Sequence, residues 1–345
     1  MMVISACGGG DDDSTGATAS GDSELSGTLT WYETAGGETE KARANITFPA
    51  WEEATGVKAR GEFNNDSTKF MAGAENGNVK WDVIEFPSVG DFIAAKEAGF
   101  LAPIDTDVVP VDELDPSAHD EYGIKGERYG INIVWNTNTW PEDGEHPESL
   151  ADIYDTERFP GKRCMFGYPA FGATLESALL ADGVPLDELY PLDTKRAYQK
   201  LDEIKDQIVW YERDLIKLMI SGECDIAIGW SGQIRAAVEK DNAPLAIGWD
   251  DSLYAEAVFS VPKDAPNPAA GQAALAFMIE DKDAQLQFVE ATGYPTAIEG
   301  ITYGPELDAW LPLGENIANA IPEDAAYYSK NISELSDEFF AWSGA

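Results

Sequence analysis

The sequence predicts an α/β protein of two lobes, each a mostly parallel sheet flanked by helices, joined by two crossover segments. Three observations lead there. Short β-branched and aromatic runs alternate with helical segments from Thr28 onward, the pattern of a mostly parallel sheet. A Pro- and charge-rich loop around Pro141 to Pro147 interrupts the series, and a second α/β series starts after it. The stretch after Val261 reads as nearly all helix to Trp342 and needs a sheet to pack on, so the chain is expected to return to its first lobe. The expected boundaries are 1–27 for a tether, 28–131 plus 262–345 for the first lobe, and 132–261 for the second. Crossovers near 131–138 and 254–262 would form the hinge.

Each element has a local reason. Thr28 to Tyr32 is a strand of β-branched and aromatic residues, and Gly36-Gly37 turns the chain after it. A helix follows with Ile46, Ala50 and Trp51 as apolar contacts, and Gly56 ends it. Val57 to Phe63 reads as strand, Asn65 to Asn76 as helix, and Trp81 to Phe86 as a buried strand. Ser88 caps a helix carrying Phe92, Ile93, Ala95 and Ala98, which Gly99 stops. Leu101 to Ile104 and Tyr129 to Trp135 are extended. In the second series Cys164 to Gly167 is strand, and Thr174 to Ala181, Thr194 to Gln207 and Leu215 to Ile220 are helices. Asp225 to Gly229 is strand, Gln233 to Asp241 helix, and Leu245 to Trp249 and Ala255 to Val261 are strands.

Composition narrows the function. At 345 residues, with 44% hydrophobic residues and 10 Trp, the chain can fill two cores. No stretch approaches the roughly 20 apolar residues of a transmembrane helix. The net charge of −40 excludes nucleic acid as a partner, because the two polymers would repel. The carboxylates are spread along the whole chain, as in Asp105-Thr106-Asp107, and the pattern resembles proteins of extreme halophiles. Ile4-Ser5-Ala6-Cys7 followed by Gly8-Gly9-Gly10 resembles the lipobox of a secreted lipoprotein. Cys7 would then carry the lipid, and residues 8–26 would hold the folded part outside the cell membrane on a tether reaching roughly 25 Å. Cys164 and Cys224 either pair in an oxidising compartment or remain buried thiols.

Catalytic motifs are absent. The histidines are His119 and His146, both in polar loops, and no Cys/His set has zinc spacing. There is no nucleophile elbow, phosphate-cradling loop or dinucleotide fingerprint, so no cofactor, no metal and no enzyme activity are expected. Aromatics at strand ends are the better lead, since ligands of open α/β sheets bind at the carboxyl ends of strands. Trp31 and Tyr32 end the first strand, Trp135 sits in a crossover, and Trp230-Ser231 links a strand to a helix. Their faces can hold an ammonium by cation–π attraction or fill a core.

Further segments carry a family resemblance. Phe159-Pro160-Gly161-Lys162-Arg163, Leu175 to Gly183, Leu189 to Asp193, Ala197 to Ile204, Ser221 to Ala227 and Val261-Pro262-Lys263 occur in order. Together they resemble the spermidine/putrescine-type solute-binding proteins of ABC importers, over about Thr28 to Trp342. The resemblance implies the two-lobed type II periplasmic-binding-protein fold, with a polyamine-type or amino-acid-like solute held between the lobes and delivered to ABC permease subunits. A monomer is expected.

Carried over by position, Trp31 or Tyr32, Glu85, Ser88, Glu176, Trp230, Ser231 and Tyr254 would line the site. Glu176 reads equally well as an ordinary helix N-terminal charge. Two departures weaken a polyamine ligand. The second crossover has Tyr254-Ala255-Glu256-Ala257 where the family carries an amine-gripping aspartate, leaving Glu256 as the substitute. The usually Trp-rich segment is Val209-Trp210-Tyr211-Glu212-Arg213-Asp214, which offers Tyr211 as a contact and Arg213 for a ligand carboxylate. The alternatives are a thiaminase-like enzyme with Cys164 as nucleophile and a ligand sensor without transport.

Overall fold

The computed structural model describes residues 25–64, 66–298 and 300–344; Cys7 and most of the expected tether lie outside the described residues. Strand β1 (Thr28–Glu33) leads through a turn at Gly37 into α1 (Glu38–Ala42), a π turn at Arg43–Thr47, and α2 (Phe48–Thr55). Then come β2 (Lys58–Phe63), α3 (Thr68–Glu75), β3 (Val83–Phe86) and α4 (Val89–Glu97). The Ser88 hydroxyl accepts the Asp91 N–H and so caps α4. The chain next crosses the molecule in the long β4 (Ile124–Asn136). The second series is β5 (Arg163–Phe166), α5 (Thr174–Ala181), α6 (Thr194–Asp202), β6 (Ile208–Tyr211), α7 (Leu215–Ile220), β7 (Ile226–Trp230) and α8 (Ser231–Asp241). The return strand β8 (Leu245–Ser260) leads to α9 (Pro268–Glu280), α10 (Lys282–Thr292), α11 (Pro305–Asp308), β9 (Ile321–Pro322) and α12 (Ala325–Ser343).

The strands form one sheet in the order β2-β1-β3-β8-β4-β7-β5-β6, with β9 beside β8. β2, β1 and β3 are parallel, as are β7, β5 and β6. Between these blocks the two long strands β8 and β4 pair antiparallel with each other and with the block edges. The first block is packed by Trp31, Trp51, Phe259 and Leu275; the second by Ile133, Phe159, Met165, Leu175 and Ile228. Among the described residues no helix is long and apolar enough to cross a membrane.

The structure differs from the sequence reading in four places. Leu245 to Trp249 and Ala255 to Val261 are parts of one strand, because the intervening Asp250 and Asp251 continue the ladder through a bulge, Asp251 at φ 55°. Ile208–Tyr211 is an additional strand, and the helix begun at Thr194 stops at Asp202. The run after Val261 is interrupted by a largely irregular stretch between Gly293 and Asp324. Finally α12, expected in the first lobe, buries Tyr328 and Leu335 in the second block's core and sets Phe339 edge-on against Trp210 at 5.4 Å. Its apolar face completes that core, which is why the chain returns there.

Candidate functional site

A cavity of about 290 Å³ opens where β1, β3 and β7 end, the place where an open α/β sheet presents loop backbone and helix N-termini. Thr34, Ala35 and Gly36 extend from β1, Pro87 from β3, and Trp230 and Gln233 from the junction of β7 with α8. Glu127 and Tyr129 from β4, Ala257 from β8, Phe171 and Tyr294 complete the wall. Tyr129 is fixed by donating its hydroxyl to Pro87 O at 2.8 Å and by an edge contact with Tyr294. The start of α8 is held close by Gly232: a Cβ there would collide with Thr292 O and the Tyr294 ring. That helix carries no side-chain cap on its N-terminal N–H groups.

Under one end of the cavity lies a buried charge cluster. Arg43, on the π turn, donates through Nε to Glu33 Oε2 at 2.8 Å and through Nη2 to Glu127 Oε1. Its guanidinium packs against the rings of Trp31, Phe259 and Phe288. Glu85 joins as a third carboxylate, its Oε2 accepting the Thr34 N–H at 2.9 Å and the Ala35 N–H at 3.4 Å. All four side chains are buried. Burial pushes the Glu85 carboxyl well up, and the neighbouring Glu33 and Glu127 push it further. Glu127 is also raised by burial, with Arg43 opposing. Burial works against the Arg43 charge, but Glu33 and Glu127 outweigh it and hold the guanidinium protonated. One guanidinium among three carboxylates leaves an excess of negative charge beside the cavity, which suits a solute ammonium.

Of the residues nominated from the sequence, Glu85 and Trp230 border this cavity. Five are placed in cores instead. Trp31 lies edge-on to Phe259 at 5.3 Å, and Tyr32, on the opposite face of β1, donates to Asp66 O and packs on Trp81 at 4.7 Å. Trp135 stacks on His146 and donates to Trp140 O, and Tyr211 donates to Ile228 O. Both faces of these strands are covered by other elements, so a strand-end aromatic faces inward whichever way it alternates. Glu176 is fully buried; its Oε1 accepts the hydroxyls of Tyr190 at 2.7 Å and Tyr328 at 2.6 Å, its Oε2 has no partner, and burial raises the carboxyl despite the two tyrosines. Ser231 is buried as the first residue of α8.

Ser88, Tyr254 and Glu256 border a separate cavity of about 540 Å³ together with Tyr190 and Glu323. There Glu256 is held by Lys125 and Arg128, each at 2.6 Å, and is not free to substitute for the missing aspartate. Arg213 is exposed on a shallow depression beside α7, away from the main cavity. Cys164 is bonded to Cys224, their Cα atoms 5.8 Å apart, so the thiol proposed as a nucleophile is taken. Sequence reasoning missed Glu127, Tyr129, Phe171, Gln233 and Tyr294. Glu127 had one available signal, a carboxylate four residues into what proves to be a buried 13-residue strand.

The chain matches the family model for bacterial extracellular solute-binding proteins over residues 50–312. It is 29% identical over 319 residues to the gamma-aminobutyric acid-binding protein of Pseudomonas aeruginosa, an alignment covering 89% of this chain and 88% of that protein. Among solved structures, the Atu4243 GABA receptor superposes with a TM-score of 0.81 at 30% identity, covering 92% of this chain and 98% of the other. The binding protein AgtB of A. tumefaciens R10, in complex with agropinic acid, gives 0.79 at 28% identity, covering 92% and 99%. The spermidine/putrescine-binding protein of Streptococcus pneumoniae shares the fold, with a TM-score of 0.73 at 19% identity over 92% of this chain and 100% of that one. The fold is thus the two-lobed α/β type expected from the sequence. With its cavity at the strand ends and its match over most of its length, the chain belongs to the bacterial extracellular solute-binding proteins, which bind small molecules and deliver them to ABC permeases.

Proposed function

We propose that this protein captures a small solute with a single ammonium group, of the aminobutyrate type, between its lobes and presents it to the permease. The observation that carries the reading is the acidic wall of the cavity, Glu85 and Glu127, backed by a single buried counter-cation, Arg43, which donates to Glu127. An ammonium placed there would meet oxygen acceptors below and the faces of Tyr129, Trp230 and Tyr294 around it. The uncapped N-terminus of α8, next to Gln233, gives the other end of a zwitterion a complementary positive pole. The two relatives whose names include GABA support this class over a polyamine. So does the absence of a free carboxylate from the second crossover, where Ala257 faces the cavity.

In this reading the boundaries of the lobes fall near those expected from the sequence, except that α12 belongs with the second. β4 and β8 flex as the crossovers, Cys7 anchors the chain to the outer face of the membrane, and the protein works as a monomer. The test is titration calorimetry with 4-aminobutyrate, n-butylamine and butyrate. The two amines should bind with a change in tryptophan fluorescence, and butyrate should give no heat. Butyrate binding as tightly as the amines, or silence from both amines, would remove the basis for an amine ligand.

A further inference from the structure

The two carboxylates on the cavity wall differ in their surroundings. Glu127 has the Arg43 guanidinium on Oε1, and its Oε2 is buried without a partner. Glu85 makes no ion pair; its Oε2 takes two backbone N–H groups, and it follows Ile84, the ladder partner of Tyr32, so it stands beside Glu33 on the neighbouring parallel strand. Glu33 has given Oε2 to Arg43, and its buried Oε1 has no donor. A proton between Glu85 and Glu33 would satisfy that orphan oxygen, since two ionised carboxylates have no hydrogen to share.

Resting on the amine reading above, we propose that Glu85 acts as a neutral acid throughout the binding cycle: it donates a hydrogen bond to Glu33, and Glu127 alone meets the solute's ammonium. The charge count supports this assignment. With Glu85 neutral, Glu33 and Glu127 against Arg43 leave the cluster one negative charge, which the ammonium end of the solute cancels while its carboxylate lies away from the cluster, by the start of α8. With Glu85 ionised, one negative charge of the cluster would stay buried without a counter-charge after the lobes shut. Of the groups around Glu85, Glu33 from β1 and Glu127 from β4 oppose its ionisation, while Arg43 from the π turn and the Thr34 and Ala35 N–H groups favour it. Burial, the largest influence, also holds the proton on. The site would therefore be built for one ammonium, and Glu85 would set that number.

Two measurements test the assignment. In ligand-free protein labelled with carbon-13 at glutamate carboxyls, the Glu85 resonance, identified by its loss in Glu85→Gln, should hold its protonated position from pH 6 to pH 8. A carboxylate position at pH 7 would overturn the proposal whether or not any amine binds. In calorimetry with 4-aminobutyrate, the binding heat should be the same in phosphate and in Tris, because no proton is released; release of about one proton would also overturn it. Silence with every amine would instead defeat the functional reading, and the resonance would still report on Glu85. Glu127→Gln should weaken binding by about 10- to 100-fold, the loss of a charge-assisted contact. Glu85→Gln, isosteric with the neutral acid, should cost several times less. Equal losses would contradict the division of roles, and the wild-type measurements stand if Glu127→Gln does not fold.

Discussion

Trp230 and Tyr32 are both aromatic residues near the carboxyl ends of strands, and they have different work. Trp230 is half-buried on the cavity wall, packed edge-on against Phe166 at 5.2 Å with part of its surface open. Tyr32 has no exposed surface, and its hydroxyl is pushed up to about 12, first by burial and then by Asp66. The expected outcomes separate accordingly. Trp230→Ala should raise the Kd for 4-aminobutyrate by about 2- to 30-fold, the size of a cation–π contact, while the denaturant midpoint moves little. Tyr32→Ala should cost about 3–5 kcal/mol in unfolding free energy, as an aromatic core deletion does, with an unaltered Kd for the protein that folds. Reversed results from calorimetry and chemical denaturation would mean that the two rings have been assigned the wrong way round.

At the scale of elements, the irregular segment before α5 is held from a distance. Phe171 and Ala173 take left-handed conformations at φ 62° and 50°, and the Phe171 N–H donates to Glu323 Oε1 at 2.8 Å. Glu323 precedes α12, so the start of that helix and the cavity wall share one hydrogen bond. Burial and the nearby Glu176 push the Glu323 carboxyl up to about 8. The folded protein therefore keeps a proton that the unfolded chain gives up near the usual 4.5. Folding takes up that proton between these values, so this group's contribution is most favourable below about 4.5 and is lost as pH rises through about 8. Glu323→Gln cannot ionise. Its melting temperature relative to wild type should be higher at pH 8.5 than at pH 5; a constant difference across that range would show that Glu323 holds no extra proton.

For the whole molecule, the net charge of −40 dominates. The ion pairs are mostly exposed and worth little each, as with Lys58–Glu52 and Lys162–Glu223. Mutual repulsion of the remaining carboxylates opposes the compact state, and salt shortens its range from about 10 Å at 0.1 M to about 3 Å at 1 M. The melting temperature should therefore rise steadily with sodium chloride over that interval in differential scanning calorimetry. A flat or falling curve would show that the charge is balanced locally and does not limit stability.

The amino-acid order alone determined what depends on near neighbours. The strand beginning at Thr28, the Ser88 cap, the stop at Gly56 and the strand-to-helix junction at Trp230-Ser231 are all written in runs of a few residues, because backbone geometry and capping act over such distances. So the alternation, and with it the two-lobed α/β class, was legible. The cavity was legible only at Glu85 and Trp230. Arg43 meets Glu127 across 84 residues of sequence, and Glu176 meets Tyr328 across 152. A carboxylate becomes a site or a core group according to what packs opposite it, and only the folded sheet brings those partners together.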